Sequence, residues 1–263
     1  MTCFKLPKSL TKRIQSAVTR FLWDDRTGKK KMAWIGWDKL AQPKGKGGLG
    51  LRDFESFNDA FLGKLSWRII NNPHGVLSRV LLGKYCMEGK FMDCPDRASE
   101  SHGWRSILVG RDLIKKNPGW LVGDGTQIDL WSDPWLNVSQ QEQLMGPPTE
   151  TTLNYKVSAL LTQDSSDWDI EKIREICPFA EKQILKIKTS RSGAPDKLCW
   201  MRTKDGEYST KSGYHAAFEE ANDAERLEMS GNWNQEVWNL STAPKIKMLV
   251  WKVLRGALPV GQG

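Results

Sequence analysis

Phe54, Phe57, Phe61, Leu65 and Ile69 recur at steps of three and four residues, while Arg52, Asp53, Asn58, Lys64 and Arg68 fall between them. That spacing lines one face of an α-helix with apolar side chains, so an amphipathic helix is predicted whose stripe must be covered by another element. Asn71-Asn72-Pro73 ends it, because proline has no N–H to give and crowds the turn before it. "GVLSRVLLGKY" follows closely enough to pack beside it as an antiparallel hairpin.

The same reading places a helix from Ser9, as cap, to Trp23, with Ile14, Val18, Phe21 and Leu22 on its apolar face. Others are expected through "GWRSILVGRDLIKKNPG", on both sides of Pro178, from Ser209 or Thr210 past His215 and Phe218, and from Pro244 to Leu254. The last is apolar over so much of its surface that it calls for a partner. "MAWIGWDKL" fits a short strand or a brief helix. Asp124-Gly125 and Asp205-Gly206 each sit between short apolar runs, the composition of a tight hairpin turn.

The fold class expected is therefore α+β, predominantly α-helical, with two short β-hairpins. Residues 1–90 form a basic helical region, 91–102 a polar linker broken by Pro95, 103–140 a helix plus hairpin, and 141–263 further helical segments. With 263 residues the chain can bury a real core, and its 13 tryptophans must serve as core or as contact surface.

Charge is concentrated at one end. Residues 1–52 hold 13 Lys and Arg against Asp24, Asp25 and Asp38, a balance of +10, so the remaining residues carry −2 of the total +8. A basic opening fifth on a near-neutral remainder points to a polyanion such as nucleic acid, or else to a solvated charged face.

"KGKGGLG" contains G-x-G-x-x-G at Gly45, Gly47 and Gly50, the spacing that cradles a pyrophosphate between a buried strand and a helix. Here the preceding "IGWDKLAQPK" is polar and carries Pro43, and no carboxylate ends a second strand downstream. Gly45-Lys46-Gly47 also lacks the hydroxyl of a Walker loop. The glycines are read as a flexible, positively charged turn that lets the chain fold tightly before the strongest helix.

Other candidate chemistry is sparse. Asp24-Asp25 sits at a helix end beside Arg26 rather than next to a third carboxylate, so it is read as a surface helix end rather than a two-metal site. His74, His102 and His215 lie far apart, and the eight-residue steps from Cys86 to Cys94 to His102 fit no common zinc framework. No catalytic residue and no metal ligand is assigned. The five cysteines are odd in number and scattered, each read as a small buried hydrophobe in a reduced, intracellular protein, nuclear or cytoplasmic. No secretory segment or long apolar run argues for a membrane.

What remains is a basic and aromatic stretch. Lys29, Lys30, Lys31, Lys44, Lys46 and Arg52 flank Trp34 and Trp37, so cations suited to phosphates lie beside rings on which bases could stack, although both rings could equally be core.

The residues "RFLWDD", "WIGWDKLAQPKGKGGLGLRDFESFNDAFLGKLSWRIINNP", "RVLLGKY", "GDGTQIDLWSDPWL" and "WNLSTAPKIKMLVWKVLRGALPV" resemble, in order, the C-terminal portion of plant LINE-type (non-LTR) retrotransposon reverse transcriptases. The resemblance implies a region after the polymerase palm, whose catalytic aspartates have no counterpart here, Asp24-Asp25 included. It also implies that a reverse-transcriptase zinc-binding domain begins near Tyr208 and that its Cys and His ligands lie past Gly263, with any RNase H domain further on. The implied role is non-catalytic: holding an RNA or RNA/DNA template-primer by phosphate contacts, with no cofactor, no small-molecule substrate and zinc only if those ligands are added. The alternative is a retroelement remnant or a helical interaction module. Two outcomes follow: no primer extension by this chain with Mg²⁺, and no stoichiometric zinc on the purified chain by metal analysis.

Overall fold

The computed structural model describes residues 3–24, 32–87, 91–97, 99–137, 142–162, 167–190, 193–222 and 232–258. The helices are α1 (Lys8–Trp23), α2 (Trp37–Ala41), α3 (Phe54–Asn71), α4 (Val76–Tyr85), α5 (His102–Lys115), α6 (Ile170–Ile176), α7 (Glu181–Ile184), α8 (Thr210–Asn222) and α9 (Pro244–Leu254). Four short strands accompany them, β1 (Pro118–Leu121), β2 (Pro134–Asn137), β3 (Glu142–Gln143) and β4 (Lys197–Trp200). The protein is α+β and mainly helical, with two small antiparallel sheets.

Local sequence explains where most helices begin. Asp53, Ser101, Asp169 and Ser209 each accept a hydrogen bond from the backbone N–H three residues on, at 2.8, 3.3, 3.2 and 3.1 Å, which satisfies an orphan donor of the first turn. α1 starts one residue before the expected Ser9 cap: Pro7 stands at the N-cap in an extended conformation, and its carbonyl takes the Leu10 N–H at 2.9 Å. "MAWIGWDKL" resolves into the brief helix α2.

α3 is the central element, and not through its phenylalanine stripe. Phe57, Phe61 and Leu65 are only half-buried, whereas Ser56, Ala60, Leu62, Gly63, Ser66, Trp67 and Ile69 are buried. Small side chains let neighbouring backbones approach closely, which a count of large apolar residues does not register. α5 crosses where a Cβ on Gly110 would fall 2.2 Å from the Leu62 carbonyl carbon, and Ser66 Oγ donates to Ile107 O at 2.7 Å. On the other flank lies Tyr208, just before α8. Its hydroxyl donates to Ala60 O at 2.9 Å, and a Cβ on Gly63 or Gly213 would meet that hydroxyl at 2.3 or 1.8 Å.

The sheets are assembled differently from the predicted hairpins. β1 pairs antiparallel with β4, Pro118 opposite Trp200 and Leu121 opposite Lys197, while β2 pairs with β3. Asp124-Gly125 therefore does not close a hairpin. The loop around it wraps Asp196, whose carboxylate accepts from the N–H groups of Gly123, Gly125 and Gln127 at 2.7, 2.9 and 2.8 Å. Three donors on one buried carboxylate hold that loop against the segment leading into β4, which sets the register of β1 with β4. The Asp205-Gly206 turn brings Gly206 O to Trp200 N at 2.7 Å, but no strand follows it among the described residues.

A core of Trp67, Leu113, Ile114, Leu198, Trp200, Tyr208, Ala216 and Ala217 joins α3, α5 and α8 to the first sheet. A second, built on Trp135, Trp168, Ile173 and Ile184, fills the region from 122 to 184. Phe91 and Cys94, within the segment read as a linker, are buried against Trp104 and Ile69. Cys86 and Cys94 form a disulfide with Cα atoms 5.8 Å apart, a correction to the expectation of reduced, separate thiols: the fold brings the end of α4 back beside this segment. Cys177 and Cys199 are buried as expected, and burial raises both thiols, Cys177 to about 11.

Gly110→Ala is expected to lower unfolding free energy by roughly 1–3 kcal/mol, since the added carbon meets backbone that cannot rotate away. Tyr208→Phe should cost about 1 kcal/mol for the lost buried hydroxyl bond. Urea titration measures both. Native-state alkylation at neutral pH should modify the exposed Cys3 and spare Cys177 and Cys199, as peptide mapping will read.

Candidate nucleic-acid interface

The glycine turn packs against the far end of the chain. Gly47 (φ 77°) and Gly50 (φ 68°) adopt left-handed backbone, open to glycine without a Cβ penalty. The N–H groups of the second half of the turn are already used: Gly48 donates to Pro43 O at 3.1 Å, Leu49 to Leu40 O at 3.0 Å and Gly50 to Gln42 O at 2.9 Å. A Cβ at Gly48 would sit 1.9 Å from Gln42 O, so the loop doubles back too tightly for any side chain there.

A phosphate cradle offers N–H groups to its ligand. This turn offers a carbonyl instead. Gly47 O accepts Trp251 Nε1 at 2.9 Å and the Arg255 guanidinium through Nε at 2.8 Å and Nη2 at 2.5 Å. Lys44 O accepts Trp238 Nε1 at 3.0 Å. Trp23, Ile35, Leu40, Trp233, Val237 and Trp251 close around the junction as a core built from both ends of the chain. α9, which the sequence left in need of a partner, thus buries Trp251 against the turn, while Ile246, Leu249 and Val253 face outward about half exposed.

The predicted contact residues divide accordingly. Lys44 and Lys46 are exposed at the turn, with Lys44 Nζ 5.0 Å from the Trp238 ring centre. Arg52 lies over Phe57 and Tyr214 at 4.8 and 5.6 Å, held between two rings beside the α3 cap. Trp34 is 44% exposed, whereas Trp37 is half-buried and stacks on Phe54 at 5.7 Å. Lys29, Lys30 and Lys31 lie outside the described residues. Asp24 follows the end of α1, its N–H bonded to Arg20 O, and Asp25 is outside the described residues.

The structure adds a second cationic group from the far end of the sequence. Lys247 Nζ donates to Trp238 O at 2.8 Å, Lys252 Nζ stands 4.9 Å from the Trp23 ring, and Arg255 lies 4.8 Å over Trp233. Burial lowers the Arg255 pKa and raises that of Tyr214. The grouping of Trp233, Trp238 and Trp251 with Lys245, Lys247, Lys252 and Arg255 within one short stretch was the available signal. Among the described residues no group of three His, Cys, Asp or Glu side chains could hold a metal ion.

No protein-family profile and no solved structure matches the chain. Over 137 residues, 52% of its length, it is 42% identical to the uncharacterized mitochondrial protein AtMg00310 of Arabidopsis thaliana and covers 89% of that protein. The chain belongs to the AtMg00310 family. The family relationship takes in only part of the chain. A longer similarity, 30% identity over 259 residues and 96% of the chain, is to the "Putative ribonuclease H protein At1g65750" of the same plant. The chain covers 41% of that relative.

Gly48→Ala is expected to open the turn and to lower stability by roughly 2 kcal/mol. Trp251→Phe, which removes one buried donor, should cost about 1 kcal/mol. Urea titration checks both, and in Gly48→Ala a red shift of tryptophan emission should accompany the loss.

Proposed function

We propose that the chain is a non-catalytic part of a LINE-type reverse transcriptase that holds a template-primer duplex through its phosphates. The observation that carries this reading is the state of the cations in the opening fifth. Among the described residues there, Lys5 pairs with Asp59, while Lys8, Lys12, Arg13, Arg20, Lys39, Lys44, Lys46 and Arg52 have no carboxylate partner. A surface that keeps its cations in water attracts polyanions within about a Debye length.

α1 illustrates the arrangement. Thr11 and Trp23 are buried, and Lys12, Arg13, Ser16 and Arg20 are exposed, on a helix that contains no acid. Lysine and arginine heads reach phosphate oxygens whatever the base sequence, so the expected contact positions a duplex without reading it. The resemblance to reverse transcriptases and the ribonuclease H name of the longer relative agree with a nucleic-acid-directed role. Lys29, Lys30 and Lys31 are assigned to this role by their place in the basic sequence alone, and Trp34, 44% exposed, follows them in the chain. No catalytic step is assigned to any residue.

Binding of an RNA–DNA hybrid should weaken linearly in log salt, with a slope of about 0.9 per phosphate neutralised. Lys12→Ala/Arg13→Ala/Arg20→Ala should make that slope shallower by roughly 2 to 3. Gel-shift affinity that is flat with salt, or absent at low salt, would overturn the proposal.

A further inference from the structure

We propose that Lys247 and Lys252 of α9 complete a phosphate-binding surface with Lys44 and Lys46 of the glycine turn, so that both ends of the chain grip one nucleic-acid duplex. This rests on the nucleic-acid reading above and deepens it, by assigning a contact surface that neither end possesses alone.

The juxtaposition is made by Trp238. Its ring lies under the Lys44 ammonium at 5.0 Å, its indole N–H bonds Lys44 O, and its own carbonyl accepts Lys247 Nζ at 2.8 Å. Two cations from opposite ends of the sequence are thereby fixed to one residue. Arg255 repeats the arrangement from the other side. It donates to the carbonyls of Gly47 at 2.8 Å and Lys46 at 3.5 Å, which brings the Lys46 backbone beside the C-terminal end of α9. Lys252 stands over Trp23, in the same core.

α9 contains Lys245, Lys247 and Lys252 and no carboxylate, and among the described residues none of Lys44, Lys46, Lys245, Lys247 or Lys252 has an acidic partner. Folding brings the Lys44 and Lys247 ammonium groups to one residue, Trp238, whose ring and carbonyl oxygen receive them. A polyanion attracts such like charges and releases its own counterions. The ligand chemistry is also narrowed: Lys44 and Lys252 lie over the rings of Trp238 and Trp23, so those faces are taken by ammonium groups. The surface therefore holds phosphates and does not stack bases, which fits a duplex whose bases are already paired.

The test uses the full chain and an RNA–DNA hybrid duplex, with anisotropy measured between 50 and 200 mM salt, a range over which roughly the counterion term dominates. Lys46→Ala/Lys247→Ala should make the log-log slope shallower by about 1.8, and Lys46→Arg/Lys247→Arg should restore it. Urea midpoints of both variants serve as the folding control. An unchanged slope in the alanine variant, with wild-type binding intact, overturns this proposal and leaves the broader reading standing. Failure of the arginine variant to restore the slope also overturns it, because the loss would then be structural. Absence of wild-type binding at low salt overturns both.

Discussion

The distance between α3 and its two flanking helices governs the central part of the molecule. Gly110 of α5 meets the Leu62 carbonyl at a separation that leaves no space for a methyl group, and Gly63 and Gly213 make room for the Tyr208 hydroxyl. Close backbone approach maximises dispersion contacts and excludes water from the Tyr208 bond to Ala60 O. Once α3, α5 and α8 are set at these distances, β1 and β4 have a platform to pair on, since β1 follows α5 and β4 precedes Tyr208. Trp200, fully buried, donates to Ser212 Oγ at 2.9 Å and locks the sheet to α8.

The junction of the chain's two ends obeys a different logic. Its largest side chains are indoles, whose N–H is stabilised when burial leaves it an acceptor; among the described residues Trp23 Nε1 and Trp233 Nε1 have none. Gly47 O and Lys44 O supply acceptors to Trp251 and Trp238 because the turn faces α9 with its carbonyls. Cations then settle on the remaining ring faces. The same residues therefore hold the ends together and collect positive charge, which links the stability of this junction to its proposed use.

Not every charged group here is solvated. Asp59 is buried enough for desolvation to raise its pKa despite the Lys5 ion pair, so its ionisation opposes folding as pH rises through the carboxylate range. Glu207 shifts the other way, lowered by Lys197 and the Trp67 indole N–H, and its contribution is lost as pH falls through its depressed value. Among the described residues of the opening fifth, eight cations have no carboxylate partner.

Much of the secondary structure was legible in the sequence. Pro178 and Pro244, the Ser209 cap and the Asn72-Pro73 stop act within a few residues, and short-range chemistry is written in short-range sequence. The basic bias of residues 1–52 was equally plain, and so was the unsuitability of the glycine run for a pyrophosphate. Only the tertiary structure decided that Asp124-Gly125 wraps Asp196 instead of closing a hairpin, that Cys86 meets Cys94, and that Phe21 is 91% exposed on the face expected to be buried. Likewise the partners of Gly47, Trp251 and Arg255, lie more than 200 positions away. Such pairings depend on which surfaces meet after the chain has folded back, a contest among all elements at once that no local window of residues can settle.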